Sequence, residues 1–156
     1  MSQDFRDLFA AFNAAGVKYL VVGAHAYSHH HKPRFTKDLD VWVEPTPENA
    51  QRVATALAAF GAPGSFCAPE HFDRPGGTLQ IGVEPARIDV LTEITGVSFK
   101  GAWANKVPGR FLDEPIFFLG LLDLIKNKSA TGRPRDLLDA EDLRSHSPQG
   151  GAKTKR

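Results

Sequence analysis

The stretch from Val21 to Val43, VVGAHAYSHHHKPRFTKDLDVWV, constrains the fold of this chain more than any other. It reads as a strand, a tight turn at Gly23-Ala24, a short helix over residues 24–30, a polar loop broken by Pro33, and a second strand carrying two aspartates. Alternation sends Asp38, Asp40 and Trp42 to one face of that strand, and Leu39, Val41 and Val43 to the other. With a rise of about 3.3 Å per residue, the two carboxylates stand about 7 Å apart, within reach of one divalent cation. Like charges held that close repel, and a cation keeps both ionised. The alternative is a strand end with two solvated carboxylates.

The remaining elements arrange themselves around this core. Phe5, Leu8, Phe9 and Phe12 recur at i, i+3, i+4 and i+7, the stripe of a first helix that Gly16 is placed to cap. Val17 to Val22 is a continuous apolar run, the mark of a strand covered on both faces. Thr46-Pro47-Glu48 combines a capping hydroxyl, a first-turn proline and an acid at the positive end of the helix dipole. Ala50, Val53, Ala54, Leu57 and Ala58 form the buried stripe of that helix, and Gly61 closes it. Residues 61–77, rich in glycine and proline, read as an irregular loop near the site. Leu79–Val83 and Arg87–Thr92 read as a hairpin around Glu84-Pro85-Ala86.

Residues 96–115 support only a short strand near Arg110. Phe118, Leu121, Leu122 and Ile125 mark another helix, ended by Thr131-Gly132. Pro134 opens a last helix with Leu137, Leu138 and Leu143 facing inward. The expected fold class is α+β: a small mixed sheet with helices packed mainly on one face. One domain is expected over residues 1–145, with a polar, disordered tail over 146–156.

Composition narrows the function. A net charge of +1 lacks the basic excess of a dedicated nucleic-acid-binding domain. The single cysteine, Cys67, excludes an internal disulfide framework and a Cys-rich zinc site. No apolar run approaches the ~20 residues that span a bilayer, and the N-terminus is not patterned as a signal peptide. A cytoplasmic protein with no membrane partner is the expectation.

Several further residues carry potential chemistry. Asp89, set in the apolar frame Ile88, Val90, Leu91, is unfavourable in a strand unless something solvates or pairs it. A pair with Arg87 at a sheet edge is one way to satisfy it. Gly23 serves either a phosphate-binding turn or the backbone room of an ordinary strand-to-helix turn. His25 reads as a helix-start residue with a local hydrogen bond. His29-His30-His31-Lys32, with Arg34 and Lys37, reads as a partly cationic loop suited to a metal or phosphate, or as a plain surface loop. Lys126 and Lys128 flank the apolar stripe of their helix on opposite sides, so at most one faces the site. A lysine near a helix C-terminus is also favoured by the dipole alone. Arg133 and Asp136 suit an ion pair joining the last two helices.

Gly23-Ala24, the gap from His25 to Lys37, and Asp38-Leu39-Asp40-Val41 together resemble the signature of the nucleotidyltransferase superfamily related to DNA polymerase beta. Arg34-Phe35-Thr36-Lys37-Asp38-Leu39-Asp40 is similar to an Arg-x-Thr-x-Asp-apolar-Asp run in its bacterial single-domain branch, which includes abortive-infection toxin-like proteins. The segment from Asn127 to Asp136 resembles the C-terminal motif of that branch, with Lys128 at the matching lysine. The resemblance covers roughly residues 16–45 and 86–143.

It implies a nucleotidyltransferase-like fold in which Asp38, Asp40 and Asp89 are catalytic and hold two Mg2+ ions with an NTP. It also implies that Gly23, Ala24, Arg34, Thr36 and Lys128 contact the nucleotide. The implied reaction transfers a nucleoside monophosphate to a protein, tRNA or small-molecule acceptor, in a toxin–antitoxin or phage-defence setting with a cognate antitoxin or helical partner. Ala24 departs from the Gly or Ser usual in the family, which removes a hydroxyl contact to phosphate. Backbone N–H groups at the following helix start remain available. The competing expectation is a catalytically silent nucleotide-binding or partner-binding module on the same fold.

Overall fold

The computed structural model describes residues 2–146; the tail beyond His146 lies outside the described residues. Six strands form one mixed sheet in the order β3-β4-β2-β1-β6-β5. The strands are β1 (Tyr19–Val22), β2 (Asp38–Val43), β3 (Thr78–Ile81), β4 (Arg87–Leu91), β5 (Val107–Phe111) and β6 (Glu114–Phe118). The helices are α1 (Ser2–Ala15), α2 (Gly23–His30), α3 (Pro47–Phe60), α4 (Phe99–Ala104), α5 (Leu121–Thr131) and α6 (Pro134–His146). Mixed α/β architecture of the α+β kind follows from this order, since β1–β2, β3–β4 and β5–β6 are antiparallel while β2–β4 and β1–β6 are parallel.

Burial explains the centre of the sheet. All four residues of β1 are buried, as expected of a strand with neighbours on both edges and helices over it. The Phe5, Leu8, Phe9 and Phe12 stripe of α1 is fully buried, with Phe9 stacked on Tyr19 at 5.8 Å. Thr46 accepts from the Asn49 amide at 3.2 Å to start α3, and Gly61, at φ +100°, ends it. Buried Asn49 ties α3 to the sheet by accepting from Lys18 N at 2.8 Å and donating to the Lys18 and Glu44 carbonyls, both at 3.0 Å.

Four expectations are corrected. Helices cover both faces of the sheet rather than mainly one. Helix α1 packs on the face shared by Tyr19 and its register partner Val43, whereas α4 packs Phe99 on Trp42, on the opposite face, at 5.0 Å. Residues 61–77 do not border the acids. Gly77 pairs with Thr92 just past the end of β4, Phe72 enters the core, and the acids align with Arg87 and Asp89 in the first half and middle of that strand. Phe118 belongs to β6 rather than to the following helix, and Leu122 is exposed. In α6 only Leu143 of the three leucines is buried, because Asp139 and Ala140 take the inward positions and leave Leu137 and Leu138 in solvent.

The β5–β6 hairpin was legible only as a short strand near Arg110, because Pro108, Gly109 and Pro115 all argue against strands. Its tertiary reason is local. The Phe118 ring lies where a Cβ on Gly109 would stand, so glycine is required for that contact.

Candidate active site

Parallel pairing of β2 with β4 sets Asp38 beside Arg87 and Asp40 beside Asp89. Neighbouring strands run about 4.8 Å apart, so Asp40 and Asp89 present their carboxylates side by side. Asp89 is only 8% exposed, and Arg87 grips both of its oxygens, with Nε at 3.1 Å and Nη2 at 2.9 Å. The same guanidinium reaches Asp38 Oδ1 at 3.9 Å. The Arg87 pairing therefore exists, but not at a sheet edge: β4 lies between β3 and β2, and the pair forms part of the acid cluster.

One cation among three carboxylates leaves the cluster short of positive charge. Burial, then the Asp89 and Asp38 charges, push the Asp40 carboxyl up to about 6. Asp38 Oδ1 is buried and accepts no hydrogen bond. With Arg87 on Asp89, no three His, Cys, Asp or Glu side chains among the described residues already stand as a ligand set.

The Gly23-Ala24 turn touches this cluster directly. Gly23 opens α2 at φ +66°, and a Cβ there would collide with Asp40 Oδ2. Glycine is needed both for the left-handed backbone and for the close approach to the carboxylate. Val22 provides no side-chain cap, so the first amides of α2 remain unclaimed by one. Ala24 lines a cavity of about 570 Å³ that it shares with Arg34, Thr36, Asp38, Asp40 and Lys128. Thr36 pins the start of β2, its hydroxyl accepting from Asp38 N and donating to Asp38 O, both at 3.2 Å.

Across the cavity the charges are closely paired. Arg34 donates to both Asp139 oxygens, at 2.8 and 2.7 Å, and stacks over the Tyr27 ring at 3.8 Å. Lys128 donates to Asp139 at 2.9 Å and to Asp136 at 3.4 Å; Arg133 and Thr131 also donate to Asp136, both at 2.8 Å. The Arg34 hydrogen bond, joined by those of Lys128, holds the Asp139 carboxyl down to about 2. Lys128 is buried and faces the cavity while Lys126 is exposed, so a single lysine of that helix reaches the site. Asp139 and Tyr27 are the residues sequence reasoning missed. The spacing of Asp136 and Asp139, one helical turn apart, was the available signal.

The structure turns His29 and His30 away from this cavity, while His31 packs on the Tyr27 ring at 5.4 Å. His29 stacks on Phe118 at 4.1 Å, and His30 Nε2 meets the Leu119 carbonyl at 2.7 Å. Both line a second cavity of about 500 Å³ with Asn105, Gly120 and Asp123. Burial lowers both pKa values, which favours neutral rings, so the charge this loop brings to the first cavity comes from Arg34 rather than from these two histidines. The C-terminal half of α2 turns these rings toward β6, away from the turn that begins the helix. His25 also points elsewhere: its ring lies 5.9 Å from Phe5, and its Nε2 is buried without a partner. A backbone hydrogen bond with Asp38 offsets part of the lowering that burial imposes on it.

Fold and site together define a mixed α/β domain with a carboxylate cluster, a glycine turn and an ion-paired basic wall around one cavity. No protein-family model matches this sequence, and no curated protein matches it. Among the described residues, no helix is long and apolar enough to cross a membrane.

Proposed function

We propose that this domain is a magnesium-dependent nucleotidyltransferase that moves a nucleoside monophosphate from an NTP to an acceptor hydroxyl, the new bond to the α-phosphate replacing its bond to the β-phosphate so that pyrophosphate and the hydroxyl proton leave. The observation that carries this reading is the β2–β4 register that sets Asp40 beside Asp89, with Asp38 two residues before Asp40 on the same strand and the Gly23 turn pressed against Asp40. The donor chemistry fits a hard divalent cation: all-oxygen ligands, one buried carboxylate oxygen without a hydrogen bond, and one carboxyl whose charge is poorly compensated. Asp38 and Asp40 would hold the ion, joined by Asp89 once Arg87 withdraws. When bound, magnesium supplies charge against the triphosphate and acidifies an attacking hydroxyl.

The chain's own groups account for the rest. The side chains lining the cavity include four basic and four acidic ones, so a polyphosphate needs added cations to enter. Amides at the start of α2 offer donors to the phosphates without Coulombic cost. Lys128 and Arg34 act from the wall, held in place by Asp139. Asp40 must be ionised to bind a cation, so affinity should weaken as pH falls below about 6.

A second reading has a specific observation in its favour: a silent nucleotide-binding or partner-binding module on the same fold. Ala24 lacks a hydroxyl, and Arg87 and Lys128 are already engaged by acids of the chain. Incubating the protein with labelled NTPs, Mg2+ and cell extract decides between them. Labelled macromolecules formed by the wild type and lost in Asp40→Asn support transfer. Mg2+-dependent nucleotide binding without any labelled product supports the silent module.

A further inference from the structure

Phe35 is the most exposed large hydrophobic side chain among the described residues, at 82%, and it lines the acid cavity. The other exposed ones, Val83, Leu112, Leu122, Leu137 and Leu138, are not part of that lining. Isolated apolar side chains on a surface are ordinary. What sets Phe35 apart is how its backbone is held. On one side Arg34 is fixed three ways: by two bonds to Asp139, by its stacking on Tyr27, and by its amide donating to Ser28 Oγ at 3.1 Å. On the other side Thr36 is fastened to the backbone of Asp38. The loop between α2 and β2 is thus pinned immediately before and after Phe35, and a rigid pedestal carries an uncovered aromatic ring at the cavity mouth.

Position decides what such a ring would meet. Phe35 stands three positions before Asp38, at most about 10 Å of chain. A ligand whose phosphates lie at the acids brings its next part, the nucleoside, to this rim. Aromatic rings take bases by stacking, which needs no particular hydrogen-bond pattern. We infer that Phe35 is the stacking platform for the base of the nucleotide whose phosphates enter the acid cavity. The inference rests on the proposed nucleotide-binding reading and adds the residue that holds the base. It also adds a preference: binding by stacking accepts every base, with purines ahead of pyrimidines because their rings overlap more of the phenyl face.

Calorimetric titration tests it, using ATP and inorganic tripolyphosphate, each with Mg2+, on wild type, Phe35→Ala and Phe35→Trp. The exposed ring contributes little to the core, and thermal unfolding of each variant checks that the fold persists. Loss of one base–aromatic stack should weaken ATP binding roughly 5- to 150-fold in Phe35→Ala. Phe35→Trp should keep it, and tripolyphosphate should bind all three proteins equally. Equal ATP affinity in wild type and Phe35→Ala overturns the inference while leaving nucleotide binding intact. Parallel loss of both ligands in Phe35→Ala also overturns it, since the ring would then merely shape the loop. Binding of neither ligand to the wild type removes the nucleotide reading and the inference with it.

Discussion

Asp40 and Asp139 line one cavity, yet their carboxyl groups shift in opposite directions, to about 6 and about 2. Both belong to crowded, charged surroundings. Asp139 meets Arg34 and Lys128 and has its oxygens filled by donors. Asp40 meets two other carboxylates and shares one arginine with them. The first arrangement is complete as it stands and belongs to the scaffold. The second lacks a positive charge, and that deficit is what a cation-binding site has before its ion arrives.

Five substitutions would break or sharpen this contrast. Asp139→Ala leaves Arg34 and Lys128 uncompensated and should cost about 3–5 kcal/mol, toward the lower end because Arg34 is partly exposed; urea denaturation measures it. An unchanged midpoint would mean the basic wall is not structural.

Asp40→Asn should act the other way. The folded-state pKa of Asp40 lies above its ordinary 3.8, so the folded protein binds more protons than the unfolded one between pH 3.8 and about 6. Wild-type stability without divalent ions should fall across that window and stay reduced above it, by up to about 3 kcal/mol. Asp40→Asn should remove this fall, together with stabilisation by Mg2+ at pH 7. For Asp139 the sign is opposite: its stabilisation is present above pH 3.8 and lost as pH drops toward 2. A pH series of unfolding midpoints on both variants reads the two slopes directly.

Ala24→Ser adds one donor at the cavity. With Mg2+ present it should lower the nucleotide dissociation constant several-fold, a charged hydrogen bond being worth at most about 1.5–3 kcal/mol. No nucleotide binding by either protein would favour the partner-binding module. Lys126→Ala should change stability by less than about 0.5 kcal/mol, because Lys126 is exposed. Its buried neighbour makes the contrast: Lys128→Ala strips two acids of a partner, and the two variants compared by urea denaturation isolate the value of facing the cavity.

Much of the fold was legible in the sequence because its signals are local. The α1 stripe, the Thr46 cap with Gly61, and the alternation in β2 each depend on residues a few positions apart. The acid pair on β2 follows from strand periodicity, and helix periodicity allows only one of Lys126 and Lys128 to face the site; the motif resemblance, not periodicity, singled out Lys128. Local pattern misled where two elements compete for one side chain. Leu137 and Leu138 have the look of core residues, yet α6 rotates to deliver Asp139 to Arg34 and Lys128. The three histidines look like one cluster, yet His29 and His30 turn to β6.

The sequence by itself determined which residues can share a face: Asp38 with Asp40, and Gly23 at the turn before α2. Only the tertiary structure decided that Asp89 stands beside Asp40, because that follows from the parallel register of β2 and β4, strands separated by more than forty residues of chain. The opposite shifts of Asp40 and Asp139 were likewise beyond the sequence. A carboxyl's proton affinity depends on the charges and burial around it in space, and those come from four elements that meet only after folding.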